Sequence, residues 1–262
     1  MFKKIVEICS VLLFLHVTLL GNDTALQVLF ENYNVKGTML IESLDGKERY
    51  VYNEARAKTP LLPASTFKIP NTLIALQEGV VDAQSIIVWD GVERSIKAWN
   101  QDQTLSSAFK SSCVWCYQKF ARGIGLETYD AYLEKLHYGN AKTGEDVERF
   151  WLDGALRISA YEQIAFLKKL YQDELPFAQT HLDTLKAIMV DEQTATYTLR
   201  AKTGWAVPKE AEHHGWYVGY VETSGDIWLF ALNLATRDAK DLPLRIQIAK
   251  DALKAKGVLP TN

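Results

Sequence analysis

The alternation of apolar and polar residues predicts strands at both ends of the chain and helices between them. Near the N-terminus two alternating segments flank an Asp45-Gly46 turn, which indicates a β-hairpin. The predicted strands cover 35–42, 49–53, 197–203, 215–222 and 227–235. Because the strands are terminal and the helices central, we expect an α+β (mixed α/β) fold: a central antiparallel β-sheet flanked by helices, with an all-helical subdomain.

Helical spacing of apolar residues accounts for the middle of the chain and for its last segment. Thr104 and Ser159 stand where capping residues are expected, and Gly79 is a plausible C-terminal stop. The predicted helices start near 66 and 104 and cover about 114–122, 126–136, 160–175, 180–189 and 241–257. A doubly wound parallel sheet would need regular alternation of strands and helices, which the pattern lacks.

The first 21 residues have the pattern of a targeting segment. Lys3 and Lys4 precede an apolar run over 11–20, which is too short to span a bilayer comfortably. We interpret 1–21 as a signal peptide, with an uncleaved anchor as the alternative, and expect a protein exported to the periplasm and free of the membrane after removal of the signal. The remaining 22–262 is predicted to be one domain.

Charge and cysteine usage narrow the classes of function. The formal net charge is -3, and no Lys/Arg cluster is present, so we expect no nucleic-acid partner. Cys113 and Cys116 lie in a C-x-x-C spacing without a preceding strand, which favours packing residues over a redox pair. His213 and His214 would point to opposite faces of a strand, and we expect no metal requirement.

Ser65 and Lys68 form the first candidate chemical group. The two residues are three positions apart on a predicted helix, so their side chains are neighbours. If Lys68 is buried and loses its proton, it becomes a general base beside the Ser65 nucleophile. A second S-x-x-K, from Ser107 to Lys110, shows that the spacing alone is weak evidence. Support comes from Lys202-Thr203-Gly204 at the end of a predicted strand, which places a cation, a hydroxyl and an accessible backbone together.

Six motifs follow one another along the chain. They are Ser65-Thr66-Phe67-Lys68, Ser112-Cys113-Val114, Tyr138-Gly139-Asn140, Phe150-Trp151-Leu152, Lys202-Thr203-Gly204-Trp205 and Leu242-Pro243-Leu244-Arg245. In this order they resemble the class D β-lactamases, or oxacillinases, among the penicillin-recognising serine enzymes. The resemblance covers almost all of 22–262 and implies one catalytic domain with the serine β-lactamase fold. The two cysteines depart from the pattern of that family.

The resemblance implies a role for each motif residue. Ser65 would attack the β-lactam carbonyl, and Lys68, carrying a carbamate formed from carbon dioxide, would be the general base, with no other cofactor. Trp151 would donate a hydrogen bond to the carbamate, and Val114 would help to exclude water from the pocket around Lys68. The N–H groups of Ser65 and Trp205 would form an oxyanion hole, and Gly204 would let the substrate approach the backbone closely. Thr203 and Arg245 would bind the substrate carboxylate. Ser112 and Lys202 would transfer a proton to the leaving nitrogen.

Two other functions remain open at this stage. A penicillin-sensing receptor would be acylated on the same serine and stay acylated. A transpeptidase acting on cell-wall peptides is disfavoured by Val114 and by Phe150-Trp151-Leu152. For the lactamase we expect a small-molecule β-lactam substrate and a monomer or homodimer. Hydrolysis of that substrate would confer resistance to β-lactam antibiotics.

Overall fold

The computed structural model describes residues 22–261, so the predicted signal peptide over 1–21 lies outside the described residues. One six-stranded sheet dominates it, and every neighbouring pair of strands in that sheet is antiparallel. Its strands are β1 (Gly37–Ser43), β2 (Arg49–Tyr52), β5 (Val190–Gln193), β6 (Tyr197–Ala206), β7 (His214–Thr223) and β8 (Ile227–Ala235). Their order is β2-β1-β8-β7-β6-β5, which joins the two ends of the chain at the β1–β8 pair.

Nine helices surround the sheet within the described residues. They are α1 (Thr24–Asn32), α2 (Glu54–Lys58), α3 (Lys68–Gln77), α4 (Leu105–Lys110), α5 (Val114–Ile124), α6 (Leu126–Leu136), α7 (Ala160–Tyr171), α8 (Gln179–Met189) and α9 (Leu242–Ala255). A short pair, β3 (Ile86–Ile87) with β4 (Gln103–Thr104), lies outside the main sheet. None of the helices described in 22–261 is both long and apolar enough to cross a membrane.

The predicted α+β architecture is confirmed. All five predicted strands of the main sheet are present, and Thr104 and Ser159 each form a capping box at the start of a helix. Five of the elements named above were not predicted: α1, the one-turn helix α2, the two-residue strands β3 and β4, and the edge strand β5, whose four residues alternate only between half-buried and exposed. Short or exposed elements carry little periodic signal, which explains these omissions.

The two faces of the sheet contact different layers. Along β1, Met39 and Ile41 belong to a core shared with α1 and α9, whereas Leu40 belongs to a larger core shared with the remaining helices. Successive side chains of a strand point to opposite faces of the sheet, which explains why neighbouring residues of β1 belong to different cores. In the larger core α3 packs against α5 and α8, and α4 packs against α8, so the predicted helical part is present. The candidate site lies where the 3-10 turn before α3, Ala64–Phe67, meets β6.

Candidate active site

Ser65 lies in a 3-10 turn, Ala64–Phe67, that runs directly into α3. Lys68 is the first residue of α3, and its Nζ donates a hydrogen bond to Ser65 Oγ over 3.2 Å. Ala64 has φ +49°, an unfavourable left-handed conformation, and its N–H donates to Trp151 O over 2.9 Å. Pro70 is accommodated because the first N–H groups of a helix have no intrahelical partner. The predicted nucleophile and base are therefore neighbours.

The Lys68 amine is fully buried, and burial lowers its pKa to about 7. Desolvation disfavours the charged form, so a large fraction of this amine is neutral at physiological pH. The ring of Tyr117 lies beneath it, with 4.7 Å between Nζ and the ring centroid. Tyr117 in turn shares a 2.7 Å hydrogen bond with Thr72, whose hydroxyl lies 2.7 Å from Lys68 O. This arrangement holds the lysine in a dry pocket.

Trp151 is fully buried and stacks on Phe67, with 5.6 Å between ring centroids. Its indole Nε1 has no hydrogen-bond partner among the described residues. Buried donors are normally paired, and an unpaired one costs about 1–3 kcal/mol. Phe67 and Ala64 thus link Trp151 to the Ser65 turn through stacking and a backbone hydrogen bond. An unpaired buried donor on a residue that packs against the Ser65 turn indicates a site for an acceptor.

A second hydroxyl–lysine pair joins the helical part to the sheet. Lys202 Nζ lies 2.5 Å from Ser112 Oγ, 2.9 Å from Thr203 O and 3.4 Å from Thr203 Oγ1. Burial lowers the pKa of Lys202 well below its ordinary value, and the positive charges of Lys68 and Arg245 lower it further. Mutual repulsion with Lys68 shows that the two lysines belong to one electrostatic site.

The end of β6 approaches the nucleophile turn closely. A Cβ on Gly204 would lie 3.0 Å from Pro63 O and 3.2 Å from a Thr66 methyl, so this position favours glycine. Arg245 on α9 donates to Gly204 O over 2.5 Å and to Leu242 O over 2.8 Å. Burial lowers the pKa of Arg245 to about 10, so its guanidinium stays charged at neutral pH.

Comparison with known proteins agrees with this geometry. Residues 31–254 match a family model described as the penicillin binding protein transpeptidase domain. The chain is 46% identical over 237 residues to β-lactamase OXA-20 of Pseudomonas aeruginosa, covering 89% of this chain and 87% of the relative. The chain belongs to the class D β-lactamases. Its fold matches the crystal structure of the class D β-lactamase YbXI from Nostoc with TM-score 0.87 and 42% identity, covering 89% of this chain and 99% of that one.

A relative of another kind is also similar to this class D β-lactamase. The regulatory protein BlaR1 of Bacillus licheniformis is 35% identical over 233 residues, which cover 88% of this chain but 39% of BlaR1. The shared fold therefore occurs in a regulator as well as in hydrolases. Stable acylation, the alternative that the sequence leaves open, has to be separated from turnover by experiment.

The second S-x-x-K of this β-lactamase does not form a comparable pair. Ser107 Oγ donates to Gln103 over 2.7 Å and belongs to the capping box of α4, whereas Lys110 contacts the carbonyl of Val190. On a helix this spacing brings two side chains to one face, but here each is taken up by a different partner. The geometry separates the two copies, which the spacing alone could not do.

Several residues at the site were not predicted. Tyr117 follows Val114 by three positions on α5, a spacing that could have placed both on one face. Gly215 is a second example: a Cβ there would lie 2.4 Å from Arg245 Cδ, so glycine makes room for that side chain. Thr236 accepts a hydrogen bond from the indole of Trp205 over 3.1 Å. The contacts of Gly215 and Thr236 join residues far apart along the chain, which the local sequence does not reveal.

The cysteines and histidines also have definite environments. Cys113 and Cys116 are fully buried, as predicted for packing residues, but they are joined by a disulfide with 5.5 Å between their Cα atoms, which the sequence left undetermined. His214 is buried on β7 with its ring 3.0 Å from Leu62 O, and His213 precedes the strand. Among residues 22–261 no group of three His, Cys, Asp or Glu side chains is arranged to hold a metal.

Proposed function

We propose that this class D β-lactamase hydrolyses the β-lactam amide of penicillins through an acyl-enzyme on Ser65. The observation that carries the proposal is the 3.2 Å contact between Ser65 Oγ and a buried Lys68 amine whose pKa is lowered to about 7. A neutral amine can accept the hydroxyl proton as the oxygen attacks the lactam carbonyl. The backbone N–H groups of Ser65 and Trp205 would stabilise the oxyanion that develops.

We assign protonation of the leaving lactam nitrogen to Ser112 and Lys202. Lys202 Nζ donates to Ser112 Oγ, and Ser112 can pass its own hydroxyl proton to the leaving nitrogen and take one from Lys202. Arg245 and Thr203 are assigned to the substrate carboxylate, since guanidinium suits bidentate pairing with two oxygens. Burial strengthens the attraction of Arg245 for that carboxylate because less water screens it.

The residues around Lys68 also fit a carbamate on its amine. Carbon dioxide adds only to a neutral amine, and burial supplies that form of Lys68. The unpaired Nε1 of Trp151 would donate to it, while Val114 and the Tyr117 ring would keep the pocket dry. When formed, a carbamate supplies an anionic general base able to activate the deacylating water. No metal takes part in this proposal.

The similarity to BlaR1 supports a second candidate, a receptor that is acylated on Ser65 and not deacylated. Both proteins would form the same adduct, so acylation does not distinguish them. The lifetime of the adduct does, because only a lactamase releases product repeatedly. The closer likeness to hydrolases over nearly the full chain favours turnover.

We also propose that the protein is exported to the periplasm. The support is the basic and apolar pattern of residues 1–21 together with the Cys113–Cys116 disulfide, since disulfides persist mainly in oxidising compartments. The expected partner there is a small-molecule β-lactam, and either a monomer or a homodimer would serve that chemistry.

The test combines turnover of a chromogenic cephalosporin with intact-mass spectrometry after penicillin treatment. The wild type should turn over many equivalents and show one transient adduct. Ser65→Ala should show neither, while the matched variant Ser107→Ala should retain both, because Ser107 belongs to a helix cap. An adduct on Ser65→Ala would contradict the assignment, and one permanent adduct without turnover would favour the receptor.

A further inference from the structure

The Cys113–Cys116 disulfide adjoins a residue of the catalytic machinery. Cys113 directly follows Ser112, the hydroxyl that contacts Lys202, and both sulfurs are fully buried. The proposed mechanism uses neither sulfur. A buried covalent link at this position therefore needs a physical account of its own.

Ser112 holds an unusual backbone conformation at the end of α4. Its φ is +55°, and two hydrogen bonds close the helix around it: Ser112 N–H to Phe109 O over 3.2 Å and Cys113 N–H to Ala108 O over 2.9 Å. This is the Schellman ending, whose left-handed position is normally glycine or asparagine. A serine pays a steric cost there, so the surrounding structure has to hold it in place.

Cys113 is the pivot between two helices. It completes the ending of α4 and is also the N-cap of α5, where Sγ accepts a hydrogen bond from Cys116 N–H over 3.3 Å. Near the same turn, Trp99 Nε1 donates to Ser111 O over 2.9 Å and Trp115 Nε1 donates to Trp99 O over 3.0 Å. These hydrogen bonds hold the turn at Ser111, and the disulfide joins Cys113 to the first turn of α5.

We propose that the Cys113–Cys116 disulfide is a positioning element for the proposed acylation reaction: it holds Ser112 in the left-handed conformation that places Oγ against Lys202. The inference rests on the proposed function, in which Ser112 acts during acylation. With the bond broken, the α4–α5 turn can relax toward an unstrained conformation, and Ser112 is in place for only part of the time. Acylation then slows by about five- to thirtyfold, the factor that corresponds to the cost of left-handed backbone.

The experiment compares oxidised and reduced forms of the same chain. Because both sulfurs are buried, the protein is unfolded in urea with dithiothreitol, whose two thiols form a cyclic disulfide as the protein S–S bond becomes two thiols. It is then refolded with the reductant present, beside a sample treated identically without reductant. Alkylation of the unfolded protein and its mass verify the thiol count. Bicarbonate is kept constant throughout.

Two quantities are measured with penicillin in single-turnover experiments: the fraction of protein that acylates and the rate constant of that fraction. We expect reduction to lower the rate constant and leave the acylated fraction and the deacylation rate unchanged. Unfolding the reduced protein again and refolding it with oxidised glutathione in place of dithiothreitol should restore the rate. A merely structural role would instead lower the acylated fraction without changing its rate constant.

The matched variant is Cys113→Ser/Cys116→Ala, which keeps an oxygen at the N-cap of α5 but has no covalent bond. It should acylate at the rate of the reduced wild type and be insensitive to dithiothreitol. Equal rate constants in oxidised and reduced protein would overturn the inference, as would failure of the reduced protein to refold, since the bond would then serve folding. Absence of any adduct on oxidised protein would instead refute the proposed function.

Discussion

Replacing Trp151, whose indole N–H has no partner among the described residues, should change turnover and folding stability by very different amounts. Trp151→Phe keeps an aromatic ring stacked on Phe67 and removes the buried N–H that has no partner among the described residues. Trp151→Ala, the comparison variant, removes the ring as well. If Nε1 exists to hold an acceptor on Lys68, its loss should impair turnover far more than folding.

The magnitudes follow from the burial of Trp151. Removing an unpaired buried donor relieves about 1–3 kcal/mol, and the smaller ring leaves a cavity that costs on the order of 1 kcal/mol. The free energy of unfolding of Trp151→Phe should therefore lie within about 2 kcal/mol of the wild-type value, whereas that of Trp151→Ala should be about 3–5 kcal/mol lower. Loss of a positioned general base lowers turnover about a hundred- to ten-thousandfold.

The assay measures turnover of a chromogenic cephalosporin and the thermal unfolding temperature, each with and without bicarbonate. A ligand that binds only the folded state raises that temperature, so bicarbonate should stabilise the wild type more than Trp151→Phe. The variant should accumulate acyl-enzyme, seen by intact-mass spectrometry, with partial recovery of turnover at high bicarbonate. Lys68→Ala should show no recovery.

Two results would refute the reasoning. The first is a Trp151→Phe variant that turns over like the wild type at every bicarbonate concentration. The second is a wild type whose turnover in degassed acidic buffer does not rise when bicarbonate is added. Either would mean that the indole N–H holds no acceptor needed for deacylation.

Two further predictions concern Lys68 and Gly215. Burial lowers the pKa of Lys68 from 10.5 to about 7, so between those values the unfolded chain binds more protons, and the Lys68 contribution to the unfolding free energy rises with pH by at most about 1.4 kcal/mol per unit. In carbon-dioxide-free buffer from pH 6 to 9, Lys68→Met should lack this rise, and a pH-independent difference from wild type would contradict it. Gly215→Ala would bring a Cβ to 2.4 Å from Arg245 Cδ, so KM for a penicillin should rise about tenfold or more while KM for its methyl ester changes little; equal changes would contradict carboxylate binding by Arg245.

The fold could be predicted where periodicity is strong. The strand over Ile227–Ala235 and the helix over Leu126–Leu136 have the predicted bounds, because their apolar positions repeat without interruption. By contrast, β6 extends to Ala206, beyond the predicted end at Thr203, since Gly204 and Trp205 pair with β7 despite the low strand propensity of glycine. Cross-strand pairing decides such boundaries, and it is not encoded locally.

The candidate site, like the fold, could be predicted from the sequence only in part. Ser65–Lys68 could be predicted because both partners lie on one turn of chain. The Ser112–Lys202 pair, 90 residues apart in sequence, could be placed only through the family resemblance. The disulfide could not be predicted, because a C-x-x-C spacing permits a bond but does not require one, and the helix start at Val114 decides the geometry.

The two lysines show how one dry site can hold both an acid and a base. Burial lowers the pKa of each, and the charge of Lys68 lowers that of Lys202 further, so the site disfavours two protons together. The hydrogen bonds decide where a single proton stays. Lys202 Nζ has three oxygen acceptors, from Ser112 and Thr203, whereas Lys68 Nζ has only Ser65 Oγ among the described residues. Acceptors favour the charged form and oppose the lowering of the Lys202 pKa by burial and by the charges of Lys68 and Arg245, so Lys202 is the better placed of the two amines to hold a proton as the acid, and Lys68 to act as the base beside the nucleophile.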